Sequence, residues 1–148
     1  MTSYPIARLA YITQPEPGVP VPSGMKIYVA GPMRGIPFFN FPAFHAAAAN
    51  LRAQGHIVFS PAERDIEAHG TDISKGNVAG DEALAAALHG FNLREALCDD
   101  LKFICLKADA IALLPGWEKS KGAKAEYATA KALGLKVLLI KDGAGVLG

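Results

Sequence analysis

The stretch from Asp109 to Ile140 narrows the choice of fold more than any other part of the chain. Asp109-Ala110-Ile111-Ala112-Leu113-Leu114 is an apolar run that reads as a buried strand of a parallel sheet. Pro115 and Gly116 break it, and an Ala-rich helix follows from about Gly122 until Gly134 stops it. Lys136-Val137-Leu138-Leu139-Ile140 then reads as the next strand. The loop between lies at the carboxyl end of a strand and the amino end of a helix, where open α/β sheets bind ligands. Glu126 sits in the early turns of that helix, with Ser120, Gly122 and Lys124 on alternate positions before it. Early-turn amides and the positive helix end favour anions there. A carboxylate at this place can equally do no more than complement the helix dipole, and local sequence leaves both readings open.

The rest of the chain repeats the alternation. Residues 1–24 hold five of the ten prolines and read as an extended, polyproline-like lead-in, with Ala7 to Ile12 a candidate edge strand. A single α/β domain is expected over 25–148. Lys26-Ile27-Tyr28-Val29-Ala30 is a strand ended by Gly31, and Gly31 to Pro37 is a turn-rich loop with one positive charge, Arg34. A helix is expected from Phe41 to Gln54, with Pro42 in its first turn and Gly55 as its cap. His56 to Ser60 is a second strand, stopped by Pro61, with Ala62-Glu63-Arg64-Asp65 continuing onto the same rim. Residues 66–80 are rich in Gly, Asp, Ser and Asn and read as a mobile excursion or lid. Helices are expected from about Asp81 to His89 and from Asn92, a good N-cap, to about Lys107. The second has Leu93, Leu97, Leu101, Ile104 and Cys105 on its apolar side. Residues 141–148 form a Gly-rich tail. Strands alternating with helices predict a doubly wound, flavodoxin- or Rossmann-like parallel sheet of four to five strands with helices on both faces.

Composition excludes several partners. A chain of 148 residues with 51% hydrophobic content can bury a full core as one domain. A net charge of +1, with both signs interspersed, gives no footprint for a nucleic-acid duplex or an anionic membrane. Cys98 and Cys105 lie on one expected helix, about 10 Å apart along its axis, too far to bridge each other. The four histidines are scattered, so no metal-ligand spacing is present. No signal peptide or apolar span is seen, and a cytoplasmic protein is expected.

Three strand ends converge on one rim: Tyr28 to Gly35, Ser60 to Asp65, and Pro115 to Glu126. Arg34, in a glycine-bearing loop, can cradle a phosphate together with backbone amides. Asp99 and Asp100 are adjacent on a helix and point different ways, so one faces solvent while the other can reach the rim, although on their own sequence both read as solvated. A tyrosine inside a strand is more often packing than chemistry.

Taken together, these residues resemble a known family. The pattern Ile27-Tyr28-Val29-Ala30-Gly31-Pro32-Met33-Arg34-Gly35, an acid ahead of Ala108-Asp109, and Ser120-x-Gly122-x-Lys124-x-Glu126 is similar to the nucleoside 2-deoxyribosyltransferase superfamily. That superfamily includes deoxyribosyltransferases and 2′-deoxynucleoside 5′-monophosphate N-glycosidases. The Ala-Gly-Pro-Met run and the later Leu-Leu-Pro-Gly-Trp-Glu-Lys-Ser resemble its DUF4406 branch, over about residues 25–140.

The resemblance implies roles. Glu126 matches the family's nucleophile, Tyr28 its strand tyrosine, and Asp100 its helix acid, with Asp99 the competing register. Lys124 stands where the family has the second glycine of a Gly-x-Gly-x-Glu turn. Ser120 matches the hydrolases, where transferases acting on free nucleosides have an aspartate, and Arg34 matches the hydrolases' loop arginine. Gly31, Met33, Gly35 and Gly122 fall in the substrate-binding loops. The activity implied is hydrolysis of the base–sugar bond of a (deoxy)nucleoside 5′-monophosphate, without metal or other cofactor, by a homodimer or higher homo-oligomer. Phe38, Phe39 and Trp117 can offer faces to the base. Base exchange between nucleosides is the alternative enzyme reading. A non-catalytic nucleotide-binding module is the third, kept open by Lys124 and the 66–80 excursion.

Overall fold

The computed structural model describes residues 10–13 and 24–142. Its central strand, β2 (Lys26–Ala30), is buried on both sides, and its alternate residues belong to two separate cores. Ile27 and Val29 pack with Phe41, Phe44, Ala47, Ala48 and Leu51, one face of α1 (Phe41–Ala53). Tyr28 and Ala30 pack on the other side with Ile104 and Ala108, and with Ala123 and Ala130 of α5 (Lys121–Ala132). Ile104 belongs to α4 (Leu93–Leu106). A strand covered on both faces has no wet side, which is why β2 and β4 (Ala110–Leu113) are so uniformly apolar.

The sheet has five strands in the order β1-β5-β4-β2-β3, with β1 at Ala10–Thr13, β3 at Ile57–Phe59 and β5 at Lys136–Asp142. β3, β2, β4 and β5 are parallel. β1 closes the edge antiparallel to β5, pairing Ala10 with Asp142 and Thr13 with Leu139. The doubly wound parallel sheet is therefore present, and its fifth strand, at the edge, overlaps the candidate Ala7 to Ile12 but runs antiparallel to its neighbour. Residues 1–9, 14–23 and 143–148, most of the proline-rich lead-in and of the tail, lie outside the described residues.

α1 carries the chain from β2 out to β3 on one face, and α5 carries it from β4 to β5 on the other. The connections diverge between the neighbouring strands β2 and β4, and the crevice outside their carboxyl ends is the ligand position of such sheets.

Two expectations need correction. Ala62 to Asp65 does not continue a strand end: Ser60 is the N-cap and Pro61 the first residue of a helix, α2 (Pro61–His69). Proline stops a strand but suits the opening of a helix, and both happen at one residue. Residues beyond α2 are anchored rather than free. Ile73 is buried in the core, and Asn77 bonds the backbone of Asp81 in both directions, at 2.8 and 2.9 Å. Asp81 then caps α3 (Glu82–His89) by accepting from the amides of Ala83 and Leu84. Gly80 sits so close to the 31–40 loop that an added Cβ would lie 2.2 Å from the Ile36 carbonyl oxygen.

The buried face of α4 also differs from the leucine side expected. Ala96, Asp100 and Ile104, four apart, face the core, while Leu93 and Cys105 are exposed and Leu97 and Leu101 half-buried. Among the described residues, no helix is long and apolar enough to cross a membrane.

Candidate active site

Tyr28 is the third residue of β2 and wholly buried, its ring braced by a stack of Phe59 from β3 and Phe103 from α4. Its hydroxyl donates a 2.8 Å hydrogen bond to Glu126 Oε2. Glu126 occupies the stripe Ala123–Glu126–Ala130 by which α5 packs on the sheet, a position normally apolar. Asp100 occupies the corresponding stripe of α4, between Ala96 and Ile104. Both carboxyls are 6% exposed, whereas the side chain of Asp99 is 52% exposed. Of the two adjacent aspartates, the fold delivers Asp100 to the cleft and leaves Asp99 at the surface.

Burial dominates the acid–base character. It pushes the Glu126 carboxyl up to about 8, with repulsion from Asp100 adding and the Tyr28 hydroxyl opposing. It pushes Asp100 up to about 7, against the pull of Arg64 and with Asp65 and Asp99 adding. Tyr28 is raised well above the usual tyrosine range by burial and by the two acids. Burial thus outweighs the preference for anions expected at this end of the helix. Glu126 is the sixth residue of α5, beyond the first-turn amides, and desolvation is what it feels. Burial and repulsion both disfavour full ionisation of this pair of carboxyls.

A second layer comes from the Ser60 to Asp65 stretch expected on this rim, though no role had been read for its Arg64 and Asp65. Arg64 of α2 contacts three acids: it hydrogen-bonds Asp65, approaches Asp99 Oδ2 at 3.3 Å, and stands 3.5 Å from Asp100 Oδ1. Asp65 is 4% exposed and lines the cleft, its carboxyl raised to about 6 by burial against Arg64. A strand–Ser60–Pro61 junction opening a helix was the signal that would have placed Arg64 and Asp65 here.

The cleft joins these acids to apolar walls from Met33, Phe39, Ile73 and Phe91. Gly31, Ser120 and Gly122 also line it, as expected. Gly31 has a packing reason of its own, since an added Cβ would lie 2.7 Å from Leu114 Cβ. Ser120 is the N-cap of α5, its Oγ accepting from the Ala123 amide at 3.1 Å. Arg34 is on the rim and bonded to Glu82 of α3 at 2.9 Å. Gly35 is exposed at φ +80°, bonded through its amide to the Gly80 carbonyl, and lies away from the lining. Lys124 is exposed and also outside it. Of the three aromatics, Phe39 lines the cleft; Trp117 instead packs on Tyr127, with centroids 4.7 Å apart. Phe38, Phe39 and Asn40 are successive residues with φ between 53° and 60°, a strained left-handed turn at the cleft wall. Among the described residues, no group of three His, Cys, Asp or Glu side chains is placed to hold a metal ion.

A family model described as "Domain of unknown function (DUF4406)" matches residues 25–139, a span that contains every residue of this cleft. None of the curated proteins matches the chain.

Proposed function

We propose that this chain, which belongs to the DUF4406 family, is an N-glycosidase that hydrolyses the base–sugar bond of a (deoxy)nucleoside 5′-monophosphate. The observation that carries the reading is the buried Tyr28–Glu126 hydrogen bond beside Asp100, at the floor of a cleft on the switch point of the sheet. Two carboxyls in one dry site, with a proton between them, are what glycosidic cleavage uses.

The steps follow from that proton. Asp100 gives it to the departing base as the C1′–N bond breaks and its electrons pass to the base nitrogen. Positive charge builds on C1′, and ionised Glu126 meets it, stabilising the cation or bonding to C1′ as a glycosyl ester. Asp100, now a carboxylate, takes a proton from water, whose oxygen attacks C1′ and frees Glu126. Tyr28 holds Glu126 by the hydrogen bond it donates. The charge growing on C1′ favours ionised Glu126 and leaves the pair's proton to Asp100. Base release should therefore peak between about 7 and about 8, where the pair holds one proton, and fall on either side.

Ser120, Gly122 and the amides opening α5 offer a phosphate seat at one end of the cleft. Arg34 lines the same cleft and is available to a phosphate in place of Glu82. The reading also carries a cytoplasmic location, which suits two free, exposed cysteines. A homo-oligomer suits the exposed Leu106 and Cys105 beside half-buried Leu97 and Leu101 on α4, and light scattering at micromolar concentration should show at least a dimer.

The test is incubation with a panel of nucleoside 5′-monophosphates, followed by assay for free base. Release that Glu126→Gln abolishes supports the reading. Release untouched by that change would refute it. Capture of the sugar by an added second base would make the enzyme a deoxyribosyltransferase. Tight nucleotide binding without any release would make it a binding module.

A further inference from the structure

Arg64 is the fourth residue of α2, its amide bonded to the Ser60 carbonyl at 3.0 Å. Its side chain is only 14% exposed, and its three acidic contacts are unequal. Asp65 and Asp99 accept hydrogen bonds from its two terminal nitrogens. Asp100 receives none: Arg64 Nε and Asp100 Oδ1 are both buried, face each other at 3.5 Å, and neither has a hydrogen-bond partner. A guanidinium normally grips a carboxylate with short paired bonds, and a buried polar atom without a partner is costly. The other two acids draw Arg64 away from the third. The groups facing Asp100 are Arg64 and Asp65 from α2, Asp99 from its own helix, Tyr28 from β2 and Glu126 from α5.

We propose that Arg64 is a positioning residue, held off Asp100 by Asp65 and Asp99 so that Asp100 can both release and recover its proton during turnover. A full ion pair would lock Asp100 as a carboxylate, useless as an acid to the leaving base. No cation at all would lock it as a neutral acid, useless as a base toward water. The half-withdrawn guanidinium leaves both forms within reach. This rests on the reading of Asp100 as the acid–base group of the cleft, and it differs from a merely structural tie between α2 and α4 in what it predicts.

The experiment is an infrared titration of the ligand-free protein, following the protonated carboxyl band that Asp100→Asn removes. Beside it runs the pH profile of base release from a deoxynucleoside monophosphate. Arg64→Met should tighten the proton on Asp100 by about tenfold or more, moving the alkaline limb upward. Asp65→Asn should loosen it, because the freed guanidinium turns to Asp100 and a neighbouring negative charge is gone. Arg64→Lys, which keeps the charge, should stay near the wild type. Shifts of opposite sign in the first two variants support the proposal. Shifts of the same sign, or an unmoved Asp100 band in folded protein, overturn it. Should Arg64→Met fail to fold, Asp65→Asn decides alone: the Asp100 band moves to lower pH or the idea is lost. The titration needs no turnover, so an expected shift in a protein that releases no base would sink the glycosidase reading and leave the tuning of Asp100 standing.

Discussion

Successive residues of one strand serve two different ends. Ile27 and Val29 of β2 point into a large hydrophobic core under α1. Tyr28 points the other way, beneath α4 and α5, where the packing stripes contain Asp100 and Glu126. Both sides are equally dry: Val29 and Tyr28 are each fully buried. The α1 face converts that dryness into hydrophobic stabilisation. On the other face the same dryness lifts two carboxyls out of their ordinary range, a cost in stability that the proposed glycosidase would turn to reactivity. If so, substitutions on the two faces should separate stability from activity in opposite directions.

The largest effect should come from Glu126→Gln. Base release should fall by several orders of magnitude, since the amide cannot meet a cationic C1′. The same change should stabilise the protein at alkaline pH. A carboxyl whose folded value is raised to about 8 gives full stability only at pH values below its unfolded range, and loses it progressively as pH rises toward 8. Glutamine has nothing to lose there. Its melting temperature should exceed the wild type's by more at pH 9 than at pH 5, and an equal difference at both would show that Glu126 is not desolvated.

Phe44→Ala is the counterpart on the α1 face. Phe44 is fully buried, and its loss should cost about 3–5 kcal/mol of stability by denaturant titration. Activity per folded molecule should stay close to wild type. A large fall in kcat from this change would mean that the two faces are not independent.

Arg34→Ala probes the mouth of the cleft. One charge-assisted contact is worth about 1.5–3 kcal/mol, and the exposed Glu82 pair it must leave costs about 0–1 kcal/mol. Affinity for a monophosphate should therefore weaken by about tenfold, with the free nucleoside little changed. Glu82→Gln should do the reverse, tightening the monophosphate a few-fold by calorimetry. Equal weakening of both ligands by Arg34→Ala would make the arginine structural.

The α1 face was the more legible of the two. Phe41, Phe44, Ala47, Ala48 and Leu51 repeat at helical spacing between a good opening and Gly55, so pattern and packing agree. On the face of Tyr28 they diverge. The leucines of α4 mark a helix face that is largely open, while the true inward line, Ala96–Asp100–Ile104, reads as weak because its middle residue is charged. Glu126 was identifiable as a residue but not as an acid with a raised proton affinity, because its burial depends on how α5 lies on β2 and β4. Arg64 and Asp65 were placed on the right rim by the sequence, but their contacts with Asp100 depend on Pro61 opening a helix there. β1 is short, and its antiparallel pairing is decided by β5, not by its own pattern.

The smallest effect expected is also the one that fixes the register of the site. Asp99 and Asp100 differ by one helical position, about 100° of turn, and so by whether water reaches them. Asp99, half-exposed, touches Arg64 at 3.3 Å, and with its own carboxylate open to solvent the contact contributes about 0–1 kcal/mol. Asp99→Asn should leave kcat for base release within about twofold. It should move the alkaline limb slightly downward, in the same direction as Asp65→Asn but less, because one of the two acids restraining Arg64 has lost its charge. Asp100→Asn should remove most of the activity, and least for substrates whose base departs without protonation. Were Asp99→Asn to cost as much as Asp100→Asn, the exposed aspartate would be the acid. The buried one would then be only the third carboxylate around Arg64, and the dry face would owe its chemistry to Glu126 and Tyr28 alone.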